Sequence, residues 1–281
     1  MTQSRAKKKT VNGLLYFICI LVIIFFLFPI LWTLSLSFKT VPELYKVPPA
    51  ILPESLNFDN YKYLVVQVQI LRGVKNSVVI TGATIVGAML IAVPAAYAFS
   101  RIQFKGSNFV QFLVLMFQMI SPLVIVIPLY RYFAKIGLLN TTIGLVMIYI
   151  AISAPFQVWF LKSFFDTIPK ELDEAACIDG CNRLQVVTKI LVPTIIPGIF
   201  SGVLMVFISS WSQFVVPYIL MDTPSKMPLA CLLVNLQSTL QQITTHYLAA
   251  ASILTILPTV LLFLFLQKYI VSALTAGAVK G

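Results

Sequence analysis

DTIPKELDEAACIDGCNRLQVVTKILVP, residues 166–193, is where charge gathers in an otherwise greasy chain. Pro169 suits a first helical turn, and Glu171, Asp173 and Glu174 complement the positive end of a helix dipole, so a helix is predicted to start near 169. Gly180 permits a left-handed or sharply bent backbone, Asn182 is placed to cap a second helix beginning near Arg183, and Pro193 marks entry into an apolar segment. The expected product is a bent helix pair projecting from the membrane. Ala175 and Ala176 leave the first helix nearly bare, so a groove in another protein approaches its backbone closely. Ile178 then serves as an apolar anchor and the acids meet basic groups at the rim. A helix lying on anionic lipid should be basic on its polar face; residues 166–179 carry five acids against one lysine, which favours a protein socket.

Outward from this segment the chain is apolar. Hydrophobic residues make up 59% of it and charged residues 10%, with a mean hydropathy of +0.95, too little polar surface to cover a soluble globule. A charge at mid-bilayer costs about 2.5–3.5 kcal/mol on insertion scales, so charge-free windows count the spans. No Asp, Glu, Lys or Arg occurs in 10–38, 76–100, 106–130, 136–161, 190–221 or 227–267, each longer than the roughly 20 residues a crossing helix needs. Six spans are expected, at about 12–37, 76–99, 108–130, 140–161, 194–220 and 248–267, within a membrane domain of 12–270. Residues 227–246 are too polar for lipid and read as an external loop or short surface helix. Residues 1–11 and 271–281 form terminal segments, and 162–193 is the charged loop.

With the amino terminus inside, the inner segments hold twelve of the twenty basic residues, and the cluster at Arg5, Lys7, Lys8 and Lys9 abuts the first span. Both termini are therefore expected in the cytoplasm. The net charge of +11 is mostly this bias, with anionic lipid as the counter-surface and no nucleic acid required. The first apolar run is much longer than a signal-peptide core and lacks a small-residue cleavage site, so it reads as a retained span. Cys19, Cys177, Cys181 and Cys231 form neither a redox pair nor a zinc half-site and read as small apolar side chains in packed helices.

The loop 39–75 carries Pro42, Pro48, Pro49 and Pro53 and is expected to form a structured cap rather than a long helix. The connections RIQFK, 101–105, and RYFAK, 131–135, are short, making spans two, three and four close neighbours. No repeat of fixed period appears, so the chain reads as one all-α domain.

The pattern Glu174, Ala175, Ala176, then Gly180, Ile190 and Pro193 resembles the EAA loop of membrane subunits of bacterial ATP-binding cassette importers. NSVVITGATIVGAMLIAVPAAYAFSR at 76–101, IPLY at 127–130 and the tail QKYIVSALTAGAVKG at 267–281 are similar to the carbohydrate-uptake, maltose-type branch of that family. Ala273 stands where the family usually has Gly. The resemblance implies a type I importer permease fold: an all-α integral membrane protein of six transmembrane helices with a cytoplasmic coupling helix, in a bacterial inner membrane. It further implies that Glu171, Asp173, Glu174, Ala175, Ala176, Ile178, Asp179, Gly180, Ile190 and Pro193 belong to an ATPase-coupling site. Thr275, Gly277, Lys280 and Gly281 would lie in a tail reaching the ATPases. Implied partners are a second homologous permease in a heterodimer, two copies of a cytoplasmic ATPase and an extracellular or periplasmic sugar-binding protein. This chain would bind no cofactor and no metal and catalyse no reaction; the partner ATPase would use ATP and Mg.

The residues themselves point to energy from outside. The chain has no G-x-x-x-x-G-K-[ST] phosphate loop, and no ionisable Asp, Glu, Lys or Arg lies within a span to bind a driving ion. Sugar selectivity would rest on uncharged polar and aromatic groups, for which Gln118, Ser121, Gln157, Trp159, Ser209, Trp211 and Gln213 are candidates, helix packing being the ordinary alternative for each. Pro94, Pro122, Pro155 and Pro258 open the helical ladder near such a path or mark ordinary kinks. His246, the single histidine, reads as a surface residue and cannot by itself make a metal site. No H-E-x-x-H or G-x-S-x-G motif supports an intramembrane hydrolase. Two rivals remain: a self-contained secondary solute carrier with inverted repeats, and a receptor or assembly factor using 169–191 only as a docking platform.

Overall fold

Charge-free sequence becomes helix because a backbone in lipid must satisfy its own hydrogen bonds. A computed structural model describes residues 2–102, 104–239 and 245–278, and all regular elements among them are helical. They gather into two compact units, residues 1–69 with 236–256 and residues 70–235 with 257–281.

In the first unit, α1 (Thr2–Phe38) is apolar all round over Asn12–Phe38, the pattern of a helix solvated by lipid rather than packed by one face. Asn60, on α2 (Asp59–Val66), caps its end: the Asn60 amide donates to the carbonyls of Ser37 (2.8 Å) and Lys39 (3.0 Å), which the helix leaves unpaired. His246 belongs to this unit and is only 2% exposed, so it is not the surface residue expected from its neighbours. Its ring lies 4.1 Å from that of Tyr247, which stacks on Tyr63 at 4.5 Å.

The second unit is built on α3 (Ile70–Arg101). Ser77, Thr81, Thr84, Ala88, Ala92 and Ala96 are all buried and recur every three or four residues, so one narrow face of small side chains lets neighbouring helices come close. After α3 come α4 (Ser107–Phe117), α5 (Pro122–Ile136) and α6 (Thr142–Phe165), the last being the main partner of α3. Then α7 (Glu171–Ile178) leads to α8 (Arg183–Thr194), whose middle, Val186–Leu191, is π-helical. The unit continues through α9 (Ile196–Ser212), α10 (Val215–Leu220) and the start of α11 (Leu229–Thr239). The helix α12 (Thr245–Ala278) runs through both units.

Among the described residues, four helices are long and apolar enough to cross a bilayer: Asn12–Phe38, α3, α6 and Thr245–Tyr269. Two bent pairs bring the total to six when each is counted as one span. The window expected as the third span is α4 and α5, bent by 84°; the fifth, expected at 194–220, falls on α9 and α10, and the apolar helix pair there is α8 with α9, bent by 80°, so it begins inside the charged loop. Proline explains both breaks. Ser121, before Pro122, is pushed to ψ 134° and caps α5 by accepting from the Leu123 N–H; Pro197 offers no N–H to continue the ladder past Ile195. RYFAK is no connection: it is the last part of α5, closed by Gly137 at φ 72°. Nor is 227–235 a surface element. Met227, Leu229 and Cys231 are buried, the Leu229 N–H donates to Ser77 Oγ (2.8 Å), and the Asn76 amide donates to the carbonyls of Ser225 and Met227.

Candidate functional site

The charged segment folds by its local signals. The turn at Pro169–Lys170 starts α7, Gly180 ends it at φ +90°, and Asn182 and Gln185 form a reciprocal capping box at the start of α8, each backbone N–H donating to the other's side chain at 2.9 Å. On α7 the residues divide by helical spacing. Glu171, Glu174, Ala175 and Ile178 (86% exposed) share one free face, with Cys177 and Asp179 also exposed.

The opposite face turns inward, which corrects the expectation of a bare two-alanine surface. Ala176 is 5% exposed and packs in a cluster with Ala96, Leu161, Phe165, Val186 and Leu191, so only Ala175 lies open. Asp173 is also inward, paired with Arg101 at the end of α3; its Nε lies 2.9 Å from Asp173 Oδ2, and Nη2 donates to the Ile168 carbonyl at 2.9 Å. A second tie, Ser100 Oγ donating to Asp166 Oδ1 (2.6 Å) with Lys162 on Oδ2 (2.6 Å), fixes the stem leading to α7. The hook is thus bolted to α3 and α6. Ile190 is half-buried in the π segment and Pro193 is exposed on α8. Arg101 and Asp166 are sequence misses: Arg101 stood in the RIQFK connection and Asp166 among the five acids of the charged segment, neither with an internal partner assigned, and the signal available was one basic residue closing α3 opposite an acid-rich segment.

The seven candidate path residues separate. Gln118, Gln157 and Ser209 meet at one cleft of about 430 Å3, together with Ile152, Ser153, Phe156, Met205 and Ile208. Ser121 is the α5 cap, Trp159 is exposed, Trp211 is buried and stacks on Phe207 at 5.2 Å, and the Gln213 carbonyl accepts from the Tyr149 hydroxyl at 3.2 Å; none of the four lines that cleft. Thr275 and Gly277 fall within α12, while Lys280 and Gly281 lie outside the described residues. Among the described residues no three His, Cys, Asp or Glu side chains are grouped to hold a metal.

An inward-tied hook on a bundle of crossing helices has counterparts. Residues 85–276 match the family model of the binding-protein-dependent transport system inner membrane component. The MalG permease protein of the trehalose/maltose transport system of Thermococcus litoralis is 33% identical, over 93% of this chain and 94% of that protein. The inner membrane ABC transporter permease protein YcjP of Escherichia coli is 33% identical over 93% and 94%, and the diacetylchitobiose uptake permease DasC of Streptomyces coelicolor is 30% identical over 90% and 92%. Among solved structures, a chain of a bacterial ABC transporter for import of the acidic polysaccharide alginate superposes with a TM-score of 0.79 at 19% identity, over 92% of this chain and 96% of that one. A chain of the MetNI methionine transporter gives 0.58 at 17% identity over 71% and 93%. These two share the fold. With the family model covering about two thirds of its length and several permeases a third identical along nearly all of it, the chain belongs to the binding-protein-dependent transport system inner membrane components.

Proposed function

We propose that the chain is one permease subunit of an ATP-driven carbohydrate importer, and that α7 is the handle by which a separate ATPase moves it. The exposed face of Glu171, Glu174, Ala175 and Ile178, on a helix whose other face is tied to α3, carries the reading. A displaced handle needs a rigid shaft, and Arg101, Asp166 and the cluster around Ala176 supply one. The sugar follows from relatives named for trehalose, maltose and diacetylchitobiose uptake, and the equally similar YcjP, named an ABC transporter permease, disfavours the secondary carrier.

The working assembly is this chain paired with a second homologous permease, two copies of an ATPase that binds ATP and Mg, and an extracytoplasmic sugar-binding protein. Both termini and α7 lie on the cytoplasmic side. ATP closes the ATPase pair, their clefts drag α7, and the α3–α6 group turns as a rigid body to open the path outward. Hydrolysis restores the inward-open state.

Co-purification from cells expressing the whole system tests this. The ATPase should accompany the wild-type chain and be lost in Glu174→Lys and Gly180→Asp, with normal membrane insertion, and uptake in proteoliposomes should require ATP. Undiminished ATPase recruitment in both variants would refute the coupling role.

A further inference from the structure

The cleft between the α4–α5 bend, α6 and α9 contains a polar group that packing alone does not explain. Gln157 lies well inside α6, eight residues from its end, and is 2% exposed. Its Oε1 is buried without a hydrogen-bond partner. An unpaired buried amide oxygen is destabilising, and a leucine of similar size would carry no such penalty. The chain also makes room for it: a Cβ at Gly202 on α9 would come within 2.7 Å of Oε1. Elsewhere on the wall, Gln118 holds the rim by donating Nε2 to the Ile152 carbonyl at 2.8 Å, leaving its own amide oxygen out of that bond. The Ser209 hydroxyl donates to the Val206 carbonyl at 3.0 Å and keeps its acceptor lone pairs. Phe156 adds an apolar ring face, and no charged side chain lines the cleft.

We infer that this cleft is where the chain touches the transported solute, and that it takes the hydroxyl donors of an uncharged carbohydrate, Gln157 Oε1 being the acceptor. This rests on the carbohydrate reading above. The wall offers unused acceptors, which suit hydroxyl hydrogens and ring C–H faces; a carboxylate or sulfonate would meet oxygen lone pairs and no cation, and would lose its water uncompensated. Oε1 is covered in the present state, and alternating access is the motion that presents it.

The full assembly, with its partner permease, ATPase and binding protein, is reconstituted in proteoliposomes and given labelled maltose, trehalose and diacetylchitobiose, with an alginate pentasaccharide as the acidic comparison. The wild type should import at least one neutral sugar and not the acidic one. Gln157→Leu should lower that uptake tenfold or more while retaining ATPase co-purification and an unfolding temperature no lower than wild type, since a purely structural amide would lose stability instead. Gln157→Asn, which withdraws the acceptor by one methylene, should give a smaller loss and serves if the leucine variant does not accumulate. Unchanged uptake in both variants, or import of the acidic pentasaccharide at a rate comparable to a neutral sugar, overturns the inference and leaves the carbohydrate reading standing. Failure of the wild type to import any of the sugars overturns both.

Discussion

Arg101 and Asp173, seventy-two residues apart in sequence, meet at 2.9 Å with side chains only 7% and 16% exposed, joining the end of a membrane helix to the α7 hook. The pair is largely shielded from water, so breaking one side of it leaves the other charge stranded, whereas exposed ion pairs contribute little. Arg101→Ala should therefore destabilise the protein by about 2–4 kcal/mol, and removing Asp173 as well should recover more than half of that loss. Thermal unfolding in detergent reads both; equal losses in the single and double variants would show that the pair does not bind the hook.

Gly180→Ala isolates backbone strain. Nothing lies within 4 Å of the added Cβ, but φ is +90°, so the cost should be about 1–2 kcal/mol with no packing defect, and less for Gly180→Asn, which tolerates the left-handed region. The comparison is of unfolding temperatures. A neutral alanine variant would mean that this turn is not held as described.

Gly198→Ala tests the contact of α9 with α6. Its Cβ would fall 2.6 Å from the ring of Phe164, an overpacking worth about 1–3 kcal/mol. Adding Phe164→Leu should relieve it, and failure of that rescue would place the damage elsewhere.

Asn60→Ala should cost about 1–3 kcal/mol, because it strips donors from two carbonyls at the end of α1. Unfolding temperature again reports the change, and an unaltered value would count against the cap.

Cysteine labelling reads burial directly. Burial pushes the Cys231 thiol up to about 11, while Cys177 is exposed on α7. The thiolate is the form that attacks maleimide, and burial disfavours that charged form, so at pH 7–9 Cys231 stays almost wholly protonated and unreactive. Cys177 should label first, and Cys231 only on unfolding or as the pH nears 11. Equal rates in the native protein would contradict the buried position of Cys231.

The parts of the candidate site legible in the sequence are those governed by neighbours along the chain. Pro169, Gly180 and the Asn182 cap declare a hook because capping and left-handed turns are local rules, and the absence of charge declares helices because lipid sets the same demand everywhere. What a side chain faces is decided by helix phase against a distant partner, so Ala176 and Asp173 looked free and are inward, and Arg101 stood in the RIQFK connection with no internal partner assigned. His246 failed for the same reason: polar neighbours in sequence said nothing of its burial or of Tyr63, which stacks on the Tyr247 beside it. Pro122 marked a break, but whether a proline kinks a helix mildly or turns it by 84° depends on what packs on either side.

The π-helical winding of Val186–Leu191 sets which way the chain's oily residues look as they leave the hook. Five residues apart in an ordinary helix, two side chains diverge by about 140°; in this wider coil, with its i→i+5 bonds, they diverge far less, and so Val186 and Leu191 can both point into the same interior. The extra residue taken up in that wider turn is what brings the two to a common side, so the length of this short stretch is as much a part of the message as its letters.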